Sequence, residues 1–311
     1  MAERDLSGAI SDQASSEPGV SWLALLRQGR VLSGGRTQSP LQQMLIYLLL
    51  IAGSVVMLTP LVWLISSSFK DSGQIFIFPP QWIPQPWRFE NYPQVFEQIP
   101  FLRFFINTVL VTLLALIGQV LSASLVAFGF ARLRFPGRDI LFLIVLATIM
   151  IPYHVTLIPT FILFRELGGL DTYMPLIVPY WLGGGAFNIF LLRQFYMRLP
   201  FELDDAARID GASTLGIYWH VILPQAKPAL GVVAIFGFLA HWNDFFLPLI
   251  YLSTTEKYTL ALGITLFRSY QVTQWNLLMA ASVMVTLPPI LLYAFAQRYF
   301  IQGIVFTGLK G

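Results

Sequence analysis

The chain has no cysteine in its 311 residues. Disulfides, thiolate nucleophiles and cysteine-bound metals are therefore excluded. Charge is the next scarcity: Asp, Glu, Lys and Arg make up 11 %, against about 25 % in an ordinary soluble domain. A chain this poor in charge cannot cover a globule with solvated side chains. The three histidines, His154, His220 and His241, are dispersed and lack metal-site spacing. The phosphate-cradling pattern Gly-x4-Gly-Lys-Ser/Thr is missing, so no nucleotide site is expected on this chain. No Ser/His/Asp, Cys/His or His-Glu-x-x-His set points to an enzyme. Basic patches interleaved with aromatics, the mark of nucleic-acid binding, are also missing despite a net charge of +3.

What the chain does have is apolar residues, 56 % of the total, and they come in long runs. A membrane helix needs about 20 consecutive apolar residues to cross about 30 Å of hydrocarbon. Six runs qualify: 44–65, 108–131, 140–164, 172–192, 229–252 and 277–297. They are continuously apolar rather than alternating, which excludes a β-barrel. The expected fold class is an all-α membrane protein of six transmembrane helices. Residues 1–40 are polar and lack the basic start and apolar core of a signal peptide. They are expected to form a flexible cytoplasmic tail, with 20–26 as the one piece able to lie on a membrane as an amphipathic helix. Residues 41–311 form the transmembrane domain.

Basic residues set the orientation. Arg4, Arg27, Arg30 and Arg36 lie in the tail; Arg132, Arg134 and Arg138 in the second connection; Arg193, Arg198, Arg208 and Lys227 in the fourth; Arg298 and Lys310 at the end. The alternate set is sparser: Lys70, Arg88, Arg103, Arg165, Lys257 and Arg268. The positive-inside rule puts the richer set, and both termini, in the cytoplasm.

The fourth connection, 199–228, carries the most information. Pro200 stops the preceding span. Glu202, Asp204 and Asp205 then fall in the first turn of a new helix, where the macrodipole favours carboxylates. Ala206 and Ala207 are strong helix formers of minimal bulk. Asp210-Gly211 is a turn signal, Ser213 can cap a second short helix, and Pro224 is expected to end it. The result is a helix–turn–helix elbow with a small-residue face, either a docking surface for another protein or a plain connector.

This segment resembles the signature loop of binding-protein-dependent ABC importer permeases: Glu-Ala-Ala, three variable residues, then Gly. Asp205-Ala206-Ala207 and Gly211 match it, with Asp205 one methylene shorter than the usual Glu. Over about 41–311 the chain is similar to the carbohydrate branch, specifically the maltose-type second permease. The segments that carry this are Ser68-Phe69-Lys70, Pro79-Pro80, Glu90-Asn91-Tyr92, Phe104-Phe105-Ile106-Asn107, Met150-Ile151-Pro152, Ile158-Pro159, Trp242-Asn243-Asp244-Phe245, and Gly303 onward to Lys310-Gly311.

The resemblance implies a type I ABC importer permease fold. It makes the elbow a coupling helix built from Glu202, Asp204, Asp205, Ala206, Ala207, Asp210 and Gly211. Expected partners are a second homologous permease, two ATPase subunits and an extracytoplasmic solute-binding protein docking on the connection 253–275. ATP and Mg would sit on the ATPase subunits and no cofactor on this chain. The cargo would be a sugar: oligosaccharide, polyol or sugar phosphate.

Asp244 is the only charge well inside an expected span, and such groups normally face a bundle interior or water. With Asn243 and Trp242 it forms either a wall of the sugar path, the indole stacking on a pyranose ring, or a tie between helices or cap of a broken span. Asn107, Tyr153 and Asn188 are further candidates for the path. Pro152, Pro159, Pro288 and Pro289 can kink their spans, and Gly183-Gly184-Gly185 permits close approach of another helix. The alternatives to sugar import are another solute in the same class or an ion-coupled secondary transporter. One isolated carboxylate and no clear internal repeat disfavour the latter.

Overall fold

The computed structural model describes residues 39–268 and 273–305, with side chains as far as Gln297. The expected tail up to residue 38, the piece 20–26, Tyr270 and the terminal segment from residue 306 lie outside the described residues. So do the tail arginines, Lys310 and the side chain of Arg298.

The chain divides into two units at Thr59/Pro60. The first holds the start of helix α1 (Pro40–Ser67). Ser39 and Gln42 form a reciprocal cap: Gln42 N donates to Ser39 Oγ at 3.3 Å and Ser39 N to Gln42 Oε1 at 3.1 Å. This Ser-x-x-Gln box, with Pro40 in the first turn, fixes where the helix begins. Every residue from Ser39 to Thr59 is exposed, including a dense series of Leu, Ile, Val and Met side chains.

In the second unit, a connection rich in aromatics leads from Ser68 to α2 (Asn91–Gln98). The segments that carried the resemblance here are structural. Asn91, almost fully buried, donates to the carbonyls of Ser68 and Lys70, both at 2.9 Å, and accepts from Asn276 at 2.8 Å. Phe69 packs on Trp87, Phe89 and Tyr92. Lys70 is buried, its ammonium 3.8 Å from the centre of the Trp63 ring; desolvation pulls its pKa below the ordinary lysine value.

Helix α3 (Phe101–Arg132) is the longest and forms the axis of this unit. Next come α4 (Arg138–Ala147), a 3-10 turn (Thr148–Met150) and α5 (Tyr153–Glu166). The expected span 140–164 is bent at Pro152, one of the expected kinks, its two helical arms meeting at 98°. Pro152 supplies no N–H, and it pushes Ile151 into extended backbone (ψ 112°). Helices α6 (Met174–Trp181) and α7 (Ala186–Tyr196) are separated by the glycine triplet. Gly184, at φ +66°, lies so close to α3 that a Cβ would fall on the Gln119 carbonyl and Ala123. The expectation of close approach is met there.

The elbow comprises α8 (Glu202–Ile209) and α9 (Thr214–Ile217), followed by a π turn (Tyr218–Ile222) and a short turn (Leu223–Gln225). Pro224 does not end this segment as expected. The chain winds on through it and bends by 78° before α10 (Lys227–Trp242). The expected span 229–252 is broken at Asn243-Asp244: α10 stops at Trp242 and α11 (Phe246–Tyr251) begins after the break. Asn243 Nδ2 takes the Leu239 carbonyl at 2.8 Å, and Asp244 Oδ1 accepts from Leu247 N at 3.2 Å. Side chains that satisfy backbone groups locally compete with the helix ladder. A short α12 (Leu260–Gly263) and the long α13 (Trp275–Val305) complete the unit. Pro288 and Pro289 lie inside α13 without ending it.

Among the described residues there is no strand, only an isolated bridge between Arg268 and Thr273. Among the described residues four helical segments, one of them Met174–Tyr196 with its glycine break, are long and apolar enough to cross a membrane, and up to six if each bent pair counts as one span. Helices α6, α7 and α10 all pack on α3. The core around the elbow joins Ala123, Ala127 and Phe128 of α3 to Leu192 and Tyr196 of α7 and to Tyr218 and Ile222 of the π turn.

Candidate functional site

The elbow is built by local chemistry. Glu202, Asp204 and Asp205 occupy the first turn of α8, facing the positive end of its dipole. At the other end Gly211 takes φ +82°. Its N–H donates to the Arg208 carbonyl at 3.0 Å and the Ala212 N–H to the Ala207 carbonyl at 2.9 Å. These are the two bonds of a Schellman cap, which needs a residue tolerant of the left-handed region. Ser213 then caps α9, accepting from Gly216 N at 3.1 Å. Three hydroxyls anchor the far side: Ser124 Oγ lies 2.6 Å from Tyr196 Oη and 2.8 Å from Tyr218 Oη.

The exposed surface of the elbow carries two large apolar side chains among its charges. Ile209 is 87 % exposed and Leu215 61 %; Ala206 is exposed and Ala207 half-buried. Glu202, Asp205, Asp210 and Gly211 share the exposed side, and Asp205 pairs with Arg208 at 3.0 Å. Asp204 differs from its neighbours. It is turned inward and buried, with Arg132 of α3 3.7 Å away. Burial raises its pKa, and the Arg132 guanidinium opposes that shift.

The expected path residues do not converge on one surface. Asn107 is held by the connection after α11, donating to the carbonyls of Glu256 and Tyr258, both at 2.9 Å. Asn188 donates to the Gly184 carbonyl at 2.7 Å and secures the glycine break. Trp242 is 2 % exposed. Its indole donates to the Val285 carbonyl at 3.0 Å, and its ring is covered by Phe238 and Phe105. Stacking of this indole on a sugar is therefore corrected to a tie between α10 and α13. Asn243 and Asp244 cap the break after α10, the second of the two readings left open. Tyr153 stays 41 % exposed at the 98° bend, its ring near Phe246.

Sequence reasoning missed a polar contact inside the bundle. His241 Nε2 lies 2.6 Å from Gln119 Oε1, and the Tyr180 ring meets the imidazole edge-on at 4.3 Å between centroids. These residues come from α10, α3 and α6. Only the helical register along three separate apolar runs could have found them.

Similarity to known proteins agrees with this architecture. The chain is 36 % identical over 252 residues to the diacetylchitobiose uptake system permease protein NgcG of Streptomyces coelicolor, covering 80 % of this chain and 83 % of that one. It is 34 % identical over 259 residues to the arabinooligosaccharides transport system permease protein AraQ of Halalkalibacterium halodurans, covering 81 % and 91 %. It is 32 % identical over 267 residues to the sn-glycerol-3-phosphate transport system permease protein UgpE of Yersinia pestis, covering 83 % and 94 %. A chain from the crystal structure of a bacterial ABC transporter involved in import of the acidic polysaccharide alginate shares the fold. Its TM-score is 0.75 at 23 % identity, over 86 % of this chain and 99 % of that one. Residues 119–305 match the family described as binding-protein-dependent transport system inner membrane component. With that match spanning the glycine break, the elbow and the final helix, the chain belongs to this family of inner membrane transport components.

Proposed function

We propose that this chain is one of two permease subunits of an ATP-driven importer and carries a sugar or sugar derivative across the inner membrane. The observation that carries the proposal is the elbow, an exposed helix–turn–helix whose Ile209 and Leu215 stand uncovered among the described residues. Docked on an ATPase subunit, it would pass closure of the ATPase dimer to the spans. The chain would then alternate between inward- and outward-facing states as ATP binds one of them better. The relatives named for diacetylchitobiose, arabinooligosaccharides and glycerol phosphate support a carbohydrate cargo. On this reading the chain does no covalent chemistry. ATP and Mg sit on two ATPase subunits, a second permease completes the path, an extracytoplasmic binding protein delivers the cargo, and both termini are cytoplasmic.

The test is co-purification of the tagged chain from native membranes, followed by reconstitution with the recovered partners and candidate sugars. Recovery of a second permease and an ATPase, with uptake that requires ATP hydrolysis, is the expected result. Recovery of the chain alone, with uptake that follows an ion gradient, would replace this reading with a secondary transporter. Gly211→Val adds a sharper measurement. Nothing lies within 4 Å of a Cβ at this position, so the damage comes from φ +82° alone, about 1–2 kcal/mol of backbone strain. Uptake per ATP hydrolysed should fall in this variant while the complex still assembles.

A further inference from the structure

The elbow packs on the bundle core through Ala207, Ala212 and Ile217. Asp204 is the one buried residue of α8. Movement of that helix reaches the spans through the chain ends, through the packing of Ala207 on the core, and through this carboxylate, the charged contact among them. Its counter-charge is Arg132, the last residue of α3 and 4 % exposed. Arg132 holds the elbow at three points. Nη2 donates to the Leu199 carbonyl at 2.8 Å, just before α8 begins. The guanidinium lies 4.5 Å from the centre of the Phe201 ring. Nη1 stands 3.7 Å from Asp204 Oδ1, an electrostatic contact too long for a hydrogen bond. A planar, always-charged fork stacks on a ring and reaches a carbonyl and a carboxylate together, so lysine, which keeps only the charge, replaces it in part.

On the reading that the elbow couples this chain to an ATPase, we infer that Arg132 is the positioning residue that carries its movement into α3, with Asp204 as the counter-charge. Helices α6, α7 and α10 pack on α3. A shift of its inner end is therefore felt by every helix around it. The next arginine inward, Arg193, is committed elsewhere: it stacks on Phe142 at 4.0 Å and donates to the Phe130 carbonyl at 3.3 Å. Breaking a buried pair from one side leaves the other charge uncompensated, so either single change should show the full effect.

The test uses the whole transporter in proteoliposomes and reads uptake, ATP hydrolysis and their ratio. Arg132→Gln and Asp204→Asn should each lower uptake per ATP by about fivefold or more, and the double variant no further than the worse single, as expected for groups acting as a unit. Arg132→Lys keeps the charge and should recover part of the ratio. An unchanged ratio in Arg132→Gln, or losses that multiply in the double variant, would overturn the inference alone. Wild-type uptake indifferent to ATP hydrolysis would overturn the importer reading and this inference with it. Should Arg132→Gln fail to assemble, spin labels on Arg134→Cys and Arg208→Cys in the otherwise wild-type chain decide the matter. An unchanged distance between ATP-free and ATP-bound states supports a joint body of elbow and α3; a change of about 5 Å, one helical turn, refutes it.

Discussion

Asp171 shows how much one residue can hold together. It sits at φ +52°, outside the glycines the only described residue in the left-handed region, and it grips the connection after α11. Its Oδ1 accepts from the backbone N–H of Ser253 and Thr254, both at 3.0 Å, and its Oδ2 from Thr254 Oγ1 and from Lys257 Nζ at 2.8 Å. The Lys257 ammonium first, then the Thr254 and Ser253 donors, hold its carboxyl well below the ordinary aspartate range. A depressed folded-state pKa means the clamp is fully present above the unfolded value of about 3.9. It weakens only as pH falls below that toward the folded value. Amide exchange at Ser253 and Thr254 should therefore be flat in protection between about pH 7 and 5 once corrected for intrinsic rate. Asp171→Asn keeps a left-handed residue and one acceptor but loses the charge; exchange there should quicken about threefold to tenfold. No change would mean the connection is held without the carboxylate's charge, by the Asp171 backbone, Asn107 and Thr108.

At the scale of the element, the apolar runs placed the helices in order but not their breaks. The carboxylate first turn of α8, the Gly211 cap and the Ser213 cap were legible because each is set by residues within four positions of it. The 98° bend at Pro152 was half legible, since a proline marks a weak point but not the angle at which packing fixes it. The stop after Trp242 was offered as one of two readings, because Asn and Asp can cap a helix or line a path with the same atoms. Arg132–Asp204 and Gln119–His241 were not legible: their partners lie 72 and 122 positions apart, and only the packed bundle sets that register. The glycine triplet is the sharpest element-level case. Gly184→Ala would push a methyl into the Gln119 carbonyl and Ala123 at a positive φ, costing about 1–3 kcal/mol from overpacking. Gly129→Ala, in α3 with nothing within 4 Å, should instead stabilise by about 1 kcal/mol through helix propensity. Thermal unfolding of the purified complex, followed by tryptophan fluorescence, should show the two variants moving in opposite directions. A Gly184→Ala melting point equal to the wild type would mean the break opens to admit a side chain.

For the whole molecule, the open question of orientation can be asked with the protein almost as it is. The chain has no cysteine, so a single introduced thiol reports on its own position without background. Ile209 at the elbow is 87 % exposed, and Glu256, beside the Asp171 clamp, is exposed as well. If the positive-inside rule sets the topology, the two residues lie on opposite sides of the bilayer. A membrane-impermeant maleimide added to spheroplasts should label Glu256→Cys at once and Ile209→Cys only after the membrane is broken. The elbow adds a second, state-dependent expectation. If Ile209 is seated on an ATPase subunit, Ile209→Cys should label more slowly in membranes that hold the whole complex than in membranes where the chain is made alone. Labelling of Ile209→Cys from outside with Glu256→Cys protected would reverse the topology and place the elbow where no ATPase could reach it. Opposite-side labelling with no protection by partners would keep the topology and remove the docking role, leaving the elbow as a plain connector between two helices.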